Sequence, residues 1–173
     1  RTLIIEQFGF LGGSQTAALV VPMMSFTTGG QQLVTGMNQE IMDRCDALPG
    51  DNEGMFFNFE LLKYVLEDMA VDAGCDLLYH TFVSDTQVTD GALTGVEIVN
   101  KTGKRNLQAR QFVDGTGDAD VATRAGARVR KTPREEMMSV SVMFSMTGVN
   151  KQRFIDAVKA DPQTYNDWKG GGE

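Results

Sequence analysis

The sequence predicts an α/β fold that carries an inserted antiparallel meander. A short apolar run over residues 2–5 ends at Glu6 and continues into a glycine-rich turn, which is typical of a strand in a parallel sheet. An amphipathic helix over residues 59–73 is followed by a glycine and by an apolar strand over residues 77–83, and this order is half of a βαβ unit. Asp90-Gly91 between two alternating stretches predicts a β-hairpin.

Composition limits the class of protein and its partners. A chain of 173 residues with 42% hydrophobic content suits one domain, or one domain and the start of another. The net charge of -7 argues against nucleic acid and anionic membrane as partners, since both are polyanions. Cys45 and Cys75 show no pairing pattern, and this favours a reducing, cytoplasmic location. Because the first residue is Arg1 rather than methionine, a preceding targeting segment stays open.

The first half of the chain predicts further helices. Residues 14–21 form a short one with Ser14 as the N-cap, and apolar residues at helical spacing predict another over residues 31–48. The longest helix begins after Asn58, a good N-cap, and ends before Gly74, which suits a left-handed C-terminal position. Stretches without regular structure are expected at residues 23–30, 49–54 and 170–172.

The second half predicts the meander and two later elements. Strands over residues 86–88 and 93–99 flank the hairpin turn, and a second turn at residues 100–103 leads into a strand over residues 105–113. The remaining predicted elements are a helix over residues 121–125, a half-buried strand over residues 139–146 and a helix over residues 152–160.

A turn rich in glycine and aspartate joins the strand ending at residue 113 to the next helix. Asp118 and Asp120 put negative charge where a pyrophosphate would lie, so this turn is a poor phosphate cradle by itself. A carboxylate at a helix N-terminus can instead accept hydrogen bonds from hydroxyl groups, such as those of a ribityl chain. Spacing alone favours a simpler interpretation in which Asp118 caps its helix. A calcium site that includes Asp114 is disfavoured, because no bidentate glutamate follows at the expected offset.

Two other titratable residues each have a functional and a structural interpretation. Glu6 is either a ribose-binding carboxylate or an exposed charge at the end of a strand. His80, the single histidine, lies in the predicted strand and is interpreted as a core or edge residue rather than a catalytic base. The sequence contains no cluster of His and Cys ligands, so no metal site is expected.

Two motifs together resemble a known family. Leu3-Ile4-Ile5-Glu6-Gln7-Phe8-Gly9-Phe10-Leu11-Gly12-Gly13-Ser14-Gln15-Thr16 and Asp114-Gly115-Thr116-Gly117-Asp118-Ala119-Asp120-Val121-Ala122 resemble the FAD-dependent oxidoreductases of the glutathione-reductase-like flavoprotein group, in particular a bacterial branch that is largely uncharacterised. The resemblance covers essentially the whole chain. It implies a partial FAD/NAD(P)-binding, Rossmann-like domain with FAD as cofactor. It also implies hydride transfer between a small organic substrate and the flavin, and it leaves a homo-oligomer open.

The resemblance also implies which residues bind the cofactor. They are Glu6, Gly12, Gly13, Ser14, Gln15, Thr16, Val83, Gly117 and Asp118. Glu6 would bind the adenosine ribose, and Val83 would offer backbone groups to the adenine. The segment from Gly12 to Thr16 would line the region from the pyrophosphate to the flavin, while Gly117 and Asp118 would meet the pyrophosphate and the ribityl chain. The family pattern has no universal catalytic residue, so none is assigned.

The domain boundaries and the missing elements follow from the same resemblance. Residues 1–130 would be a partial FAD-binding domain with the antiparallel insertion at residues 84–110, and residues 131–173 would begin a substrate or cap domain. The first strand of the family and its GxGxxG turn do not occur in the sequence, so we expect a fragment that binds FAD weakly or not at all. Two alternatives stay open: a non-catalytic flavoprotein-like module for binding or assembly, and an NAD-binding dehydrogenase domain. Glu6 would favour NAD over NADP in the latter, because a carboxylate repels a 2′-phosphate.

Overall fold

A computed structural model describes residues 1–22, 27–50 and 58–161. The chain divides into two compact units, Arg1–Ser141 and Val142–Glu173. In order along the chain, the elements are β1 (Thr2–Ile5), α1 (Ser14–Ala17), β2 (Thr27–Thr28), β3 (Gln31–Gln32), α2 (Met37–Asp46), α3 (Phe59–Asp72), β4 (Cys75–Leu78), β5 (Phe82–Thr89), β6 (Ala92–Asn100), β7 (Gly103–Gln108), α4 (Asp120–Arg124), a 3-10 turn (Arg134–Glu136) and α5 (Lys151–Ala160). Within these ranges no helix is both long and apolar enough to cross a membrane.

A parallel strand pair opens the first unit. β1 pairs with β4 in register, from Thr2 opposite Cys75 to Ile5 opposite Leu78, and α3 immediately precedes β4. The apolar residues of α3 fall on one face, which packs against α2 around a buried core of Ile41, Cys45, Leu62 and Val65. The predicted helix-to-strand order, with parallel pairing, is therefore confirmed.

The ends of α3 also follow the sequence. The Asn58 side chain accepts a hydrogen bond from the Glu60 N–H at 3.0 Å, which satisfies a backbone donor of the first turn. Gly74 takes a φ of +71° immediately after the helix, a left-handed conformation that costs glycine little. Both predicted caps are confirmed.

The meander is a three-stranded antiparallel sheet in the order β5-β6-β7. The first turn holds Asp90 at φ +51° and Gly91 at φ +77°, the pair of positive values that a type I′ hairpin requires. The second turn closes with Asn100 opposite Gly103. Val96 and Ile98 of the central strand are buried. Together with the parallel pair, this sheet gives the predicted α/β architecture with an antiparallel insertion.

Two predicted helices are shorter in the structure. Gly36 at φ +68° delays the start of α2, so that the helix predicted from residue 31 begins at Met37, and residues 31–32 instead pair as β3. The helix predicted over residues 14–21 ends at Ala17, because Leu19 takes a φ of +57° that leaves the helical region. Ser14 is not its N-cap as predicted. Gly13 occupies that position, and Ser14 is the first helical residue.

Three predicted strands are wrong in part or entirely. The strand predicted over residues 77–83 is interrupted by His80 at φ +51°, so β4 ends at Leu78 and β5 begins at Phe82. β7 ends at Gln108, whereas the prediction continued to residue 113. Residues 139–146 form no strand. A strand needs a neighbour for its backbone groups, and residues 111–113 and 139–146 pair with no other strand among the described residues.

The later helices occur nearly where predicted. α4 covers Asp120–Arg124, one residue earlier than expected. α5 begins at Lys151, and its N-cap Asn150 accepts a hydrogen bond from the Arg153 N–H at 2.9 Å. Residues 23–26 of the predicted loop, residues 51–54 of the predicted break and the tail at residues 170–172 lie outside the described residues.

Candidate functional site

Glu6 follows β1 at the carboxyl edge of the parallel pair. Its backbone N–H donates to the Leu78 carbonyl at 3.0 Å, and its own carbonyl accepts from the Thr81 N–H at 3.0 Å. The carboxylate Oε1 accepts from the Phe8 N–H at 2.8 Å. The carboxyl ends of parallel strands form the edge at which ligands bind in open α/β sheets. The fold therefore holds a half-buried carboxylate at the position where such a sheet receives a ligand.

The turn after Glu6 contains glycines that a larger residue cannot replace without movement. A Cβ added at Gly9 would lie 2.8 Å from Cε1 of His80. Gly12 has a φ of +116°, and a Cβ there would lie 2.5 Å from Oγ1 of Thr16. Gly13, by contrast, has open space around the corresponding position. Close packing thus favours glycine at Gly12; at Gly9 an added Cβ would displace only the exposed His80 imidazole, and Gly13 needs glycine only for its φ of +54°.

Thr16 stabilises this turn through its buried hydroxyl group. Its side chain is 2% exposed, and its hydroxyl donates to the Leu11 carbonyl at 2.8 Å. The backbone N–H groups of Gln15 and Thr16 donate to the carbonyls of Gly12 and Gly13. The residues from Gly12 to Thr16 are therefore brought together in one tight turn, in which the Thr16 hydroxyl is committed to the backbone.

A lysine from α3 lies over one aromatic side chain of the same turn. The rings of Phe8 and Phe10 stack with centroids 5.8 Å apart. Nζ of Lys63 lies 4.1 Å from the Phe10 ring centroid and 2.8 Å from a Glu60 carboxylate oxygen. A cation over an aromatic face is attracted by the ring quadrupole. This contact joins the glycine turn to α3, and sequence reasoning missed it. The sequence feature that could have indicated the position of Lys63 is its i,i+3 spacing from Glu60.

The corner between β4 and β5 packs against the glycine turn. The His80 N–H donates to the Phe8 carbonyl at 3.0 Å, and its imidazole lies against Gly9. His80 is therefore an exposed corner residue rather than the strand residue that was predicted. Tyr79 donates its phenol hydrogen to Glu67 Oε2 at 2.9 Å, and burial together with this carboxylate raises the pKa of Tyr79 to about 12.

Val83 lies near the start of β5, opposite Ile98 of β6. Among the described residues, β5 is the end strand of its sheet, so one edge of its backbone faces away from β6. Val83 is half-buried.

The turn before α4 is anchored by Asp114. Its Oδ1 accepts from the N–H and the hydroxyl of Thr116, at 3.0 and 2.7 Å, and its Oδ2 accepts from the Ala122 N–H at 2.8 Å. The hydrogen bond from Ala122, followed by that from the Thr116 hydroxyl, lowers the pKa of Asp114 below its ordinary value. Sequence reasoning weighed Asp114 only as a calcium ligand and missed this role.

Asp118 does not cap α4. The N-cap position belongs to Ala119, which has a left-handed φ of +57° and makes no side-chain capping bond. Asp118 is exposed in the same turn, next to Gly117 at φ +89°. The capping interpretation of Asp118 is therefore wrong, because Asp114 supplies the acceptor for the first turn of the helix.

The turn that carries Asp118 (the Asp118 turn) and the turn that follows Glu6 (the Glu6 turn) both lie next to the start of β5. α4 packs against β5, and the Arg124 guanidinium lies 5.9 Å from the Phe82 ring centroid. Phe82 directly follows Thr81, which is hydrogen-bonded to Glu6. No hydrogen bond or ion pair joins Glu6 to Asp118 within the described part of the chain. Both predicted halves of the site therefore adjoin the start of β5.

Comparison with known proteins identifies the class of protein that this fold and site define. The family model described as "FAD dependent oxidoreductase" matches residues 1–171, and the chain belongs to this family. The crystal structure of Thermovibrio ammonificans THI4 is similar, with 18% sequence identity and a TM-score of 0.48 over 72% of this chain and 51% of that chain. The chain thus spans about half the length of that protein. No curated protein matches the sequence.

Family membership confirms the predicted resemblance and agrees with the predicted α/β fold class. The assignment of individual residues to parts of the cofactor stays a prediction, as do the domain boundaries at residue 130.

Proposed function

We propose that this chain forms part of an enzyme that transfers a hydride between a small organic substrate and FAD, with Glu6 binding the adenosine ribose. The observation that carries the proposal is the Glu6 carboxylate, fixed by the Phe8 N–H at the carboxyl edge of the parallel pair. Membership of the FAD dependent oxidoreductase family over residues 1–171 supports FAD as the dinucleotide.

The chemistry of Glu6 suits a ribose diol. An ionised carboxylate only accepts hydrogen bonds, and its two oxygens have capacity beyond the one bond that Phe8 donates to Oε1. Hydroxyl donors of a ribose supply matching partners, and a hydrogen bond to a charged group is worth about 1.5–3 kcal/mol. The same charge disfavours a dinucleotide that carries a 2′-phosphate.

The glycine turn would bring backbone close to the cofactor. Gly12 and Gly13 carry no side chain that could block an approach, and Thr16 holds their turn by its bond to Leu11. We assign the segment from Gly12 through Ser14 and Gln15 to Thr16 to the region from the pyrophosphate to the flavin.

The other assigned contacts come from β5 and the turn before α4. Val83 would present backbone groups to the adenine from the edge of β5 that faces away from β6, where no strand pairs with it among the described residues. Gly117 and Asp118 would meet the pyrophosphate and the ribityl chain, and the exposed Asp118 carboxylate has no capping role that competes with ribityl hydroxyls. When bound, FAD supplies the hydride chemistry, while the residues of this chain bind and orient it.

We further expect residues 1–173 alone to bind FAD weakly. β1 pairs with β4 as a two-stranded sheet among the described residues, and residues 111–113 form no strand beside it. The Glu6 turn and the Asp118 turn both lie next to the start of β5, but among the described residues no further strand of the parallel sheet lies between them to fix their separation. A ligand that spans both turns would have to order them on binding, which costs affinity.

The direct test is to purify the protein expressed from its complete reading frame and to record its visible absorbance. The proposal predicts a flavin absorbance band, or the uptake of added FAD during equilibrium dialysis. A folded, colourless protein that takes up no FAD would overturn the proposal. Uptake of NAD⁺ in preference to FAD would instead support the dehydrogenase alternative. A parallel dialysis of residues 1–173 tests the weak-binding expectation separately.

A further inference from the structure

Asp114 accepts hydrogen bonds from both ends of the turn that carries Gly117 and Asp118. One carboxylate oxygen accepts from the backbone and hydroxyl of Thr116, and the other accepts from the Ala122 N–H eight residues ahead. The hydroxyl oxygen of Thr116 in turn accepts a hydrogen bond from the Asp120 N–H at 2.9 Å. These bonds, which we call the Asp114 clip, fix both ends of a short segment that includes two positive φ values.

The clip determines what the turn presents to solvent. It satisfies the Asp120 and Ala122 N–H groups internally, so α4 does not need Asp118 as a cap. The N–H groups of Gly117 and Asp118 donate to no acceptor among the described residues. Ala119 has a φ of +57°, a left-handed conformation that is unfavourable for a residue with a Cβ and needs surrounding bonds to persist, whereas Gly117 adopts its φ of +89° at little cost. Asp118 is thereby held outward by bonds in which it takes no part.

We infer that Asp114 is the positioning residue of this cofactor-binding turn, acting through Thr116 and Ala122 to hold Gly117 and Asp118 in the geometry that receives the ribityl–pyrophosphate part of FAD. The inference rests on the proposed function, because it concerns the same cofactor. Asp114 itself is not assigned a contact with FAD. Both of its carboxylate oxygens accept hydrogen bonds within the clip, whereas the Asp118 carboxylate takes no part in it.

Several substitutions can separate an effect of the Asp114 clip on FAD binding from an effect on the stability of the whole protein. Asp114→Asn replaces an acceptor oxygen with an NH₂ group, which would face the Thr116 or the Ala122 donor. Thr116→Val keeps the shape of the side chain but removes its hydroxyl, while Thr116→Ser keeps the hydroxyl and is the conservative rescue. Asp43→Asn on α2 removes the same charge from an exposed aspartate that bonds Gln39, and it serves as the matched control.

The experiment measures the dissociation constants of FAD and of AMP for each variant of the full-length protein, with circular dichroism as a check on folding. AMP carries the adenosine ribose assigned to Glu6 and lacks the ribityl chain. We expect Asp114→Asn and Thr116→Val to weaken FAD binding by about tenfold and to leave AMP binding within about twofold. Thr116→Ser and Asp43→Asn should bind both ligands as the wild type does.

The outcomes distinguish this inference from the proposed function. If the wild type binds neither FAD nor AMP, the proposed function fails and this inference fails with it. If the wild type binds FAD and Asp114→Asn binds it equally well, only the inference is overturned. Equal losses of FAD and AMP affinity would also overturn it, since they would indicate a purely structural role. Should Asp114→Asn not fold, the Thr116→Val and Thr116→Ser pair decides, and equal FAD affinity of the two would overturn the inference.

Discussion

Replacing Gly12 with alanine should destabilise the first unit strongly, because the new methyl group meets both a backbone and a packing obstacle. Gly12 has a φ of +116°, and its added Cβ would lie 2.5 Å from both Oγ1 and Cγ2 of Thr16 and 3.1 Å from Cδ1 of Leu66. Thr16 is 2% exposed and is bonded to Leu11, so it cannot move aside freely.

The magnitude follows from these two contributions. A non-glycine residue in a sparsely populated positive-φ region costs about 1–3 kcal/mol. Forcing an extra methyl into a packed site costs about 1–3 kcal/mol more. We therefore expect Gly12→Ala to lower the free energy of unfolding by roughly 2–6 kcal/mol, as the sum of the two terms. The assay is urea denaturation followed by circular dichroism, with the midpoint compared at constant slope.

Gly13→Ala is the matched control for the packing contribution. Gly13 also has a positive φ, of +54°, but nothing lies within 4 Å of its added Cβ. Its cost should be limited to the left-handed conformation, about 1–2 kcal/mol. If the two variants lose the same stability, the packing of Thr16 against Gly12 does not constrain the turn, and the reasoning is refuted.

Two other predictions concern α3 and the corner after β4. Asn58→Ala should lower the free energy of unfolding by about 1 kcal/mol because it removes the acceptor for the Glu60 N–H, and an unchanged denaturation midpoint would contradict the capping assignment. The pKa of Tyr79 is raised to about 12, so the stability it contributes is complete below pH 10 and is lost as the pH rises toward 12. Tyr79→Phe should remove this part of the alkaline decline, and an identical pH profile of unfolding for the variant and the wild type would show that Tyr79 makes no such contribution.

Elements that depend on local pattern were predicted well. The face of α3 that carries Leu62 and Val65 repeats at helical spacing, and its caps are encoded by Asn58 and Gly74. The first hairpin follows from Asp90-Gly91, because few dipeptides tolerate two positive φ values. In each case the determining interactions lie within a few residues of one another.

Elements that depend on distant partners could not be predicted. The corner at His80 exists because its N–H bonds to Phe8, a residue far away in the sequence, and nothing in the residues around His80 indicates a break. Residues 139–146 alternate as a strand would, yet Val140 is 96% exposed because no described strand pairs with this segment. Alternation predicts a two-sided surface, whereas a strand also requires a neighbour.

In the candidate site, too, the residue that depends on local pattern was predicted and the residue that depends on a longer-range hydrogen bond was missed. The position of Glu6 followed from the apolar run before it, since a strand that enters a turn must end there. The function of Asp114 did not, because its bond to Ala122 crosses the whole turn and depends on positive φ values at Gly117 and Ala119. Spacing alone therefore favoured Asp118, the nearer aspartate, as the cap, while the family resemblance implied that it binds the cofactor.

The central claim, that Glu6 binds the ribose of FAD, is tested most directly by FAD titration of the full-length protein and its Glu6→Gln variant. Glu135→Gln, which changes an exposed glutamate of the 3-10 turn, is the control for charge. Loss of a hydrogen bond to a charged group of about 1.5–3 kcal/mol predicts a loss of FAD affinity of roughly 10-fold to 100-fold for Glu6→Gln. Wild-type affinity in a folded Glu6→Gln protein would contradict the account.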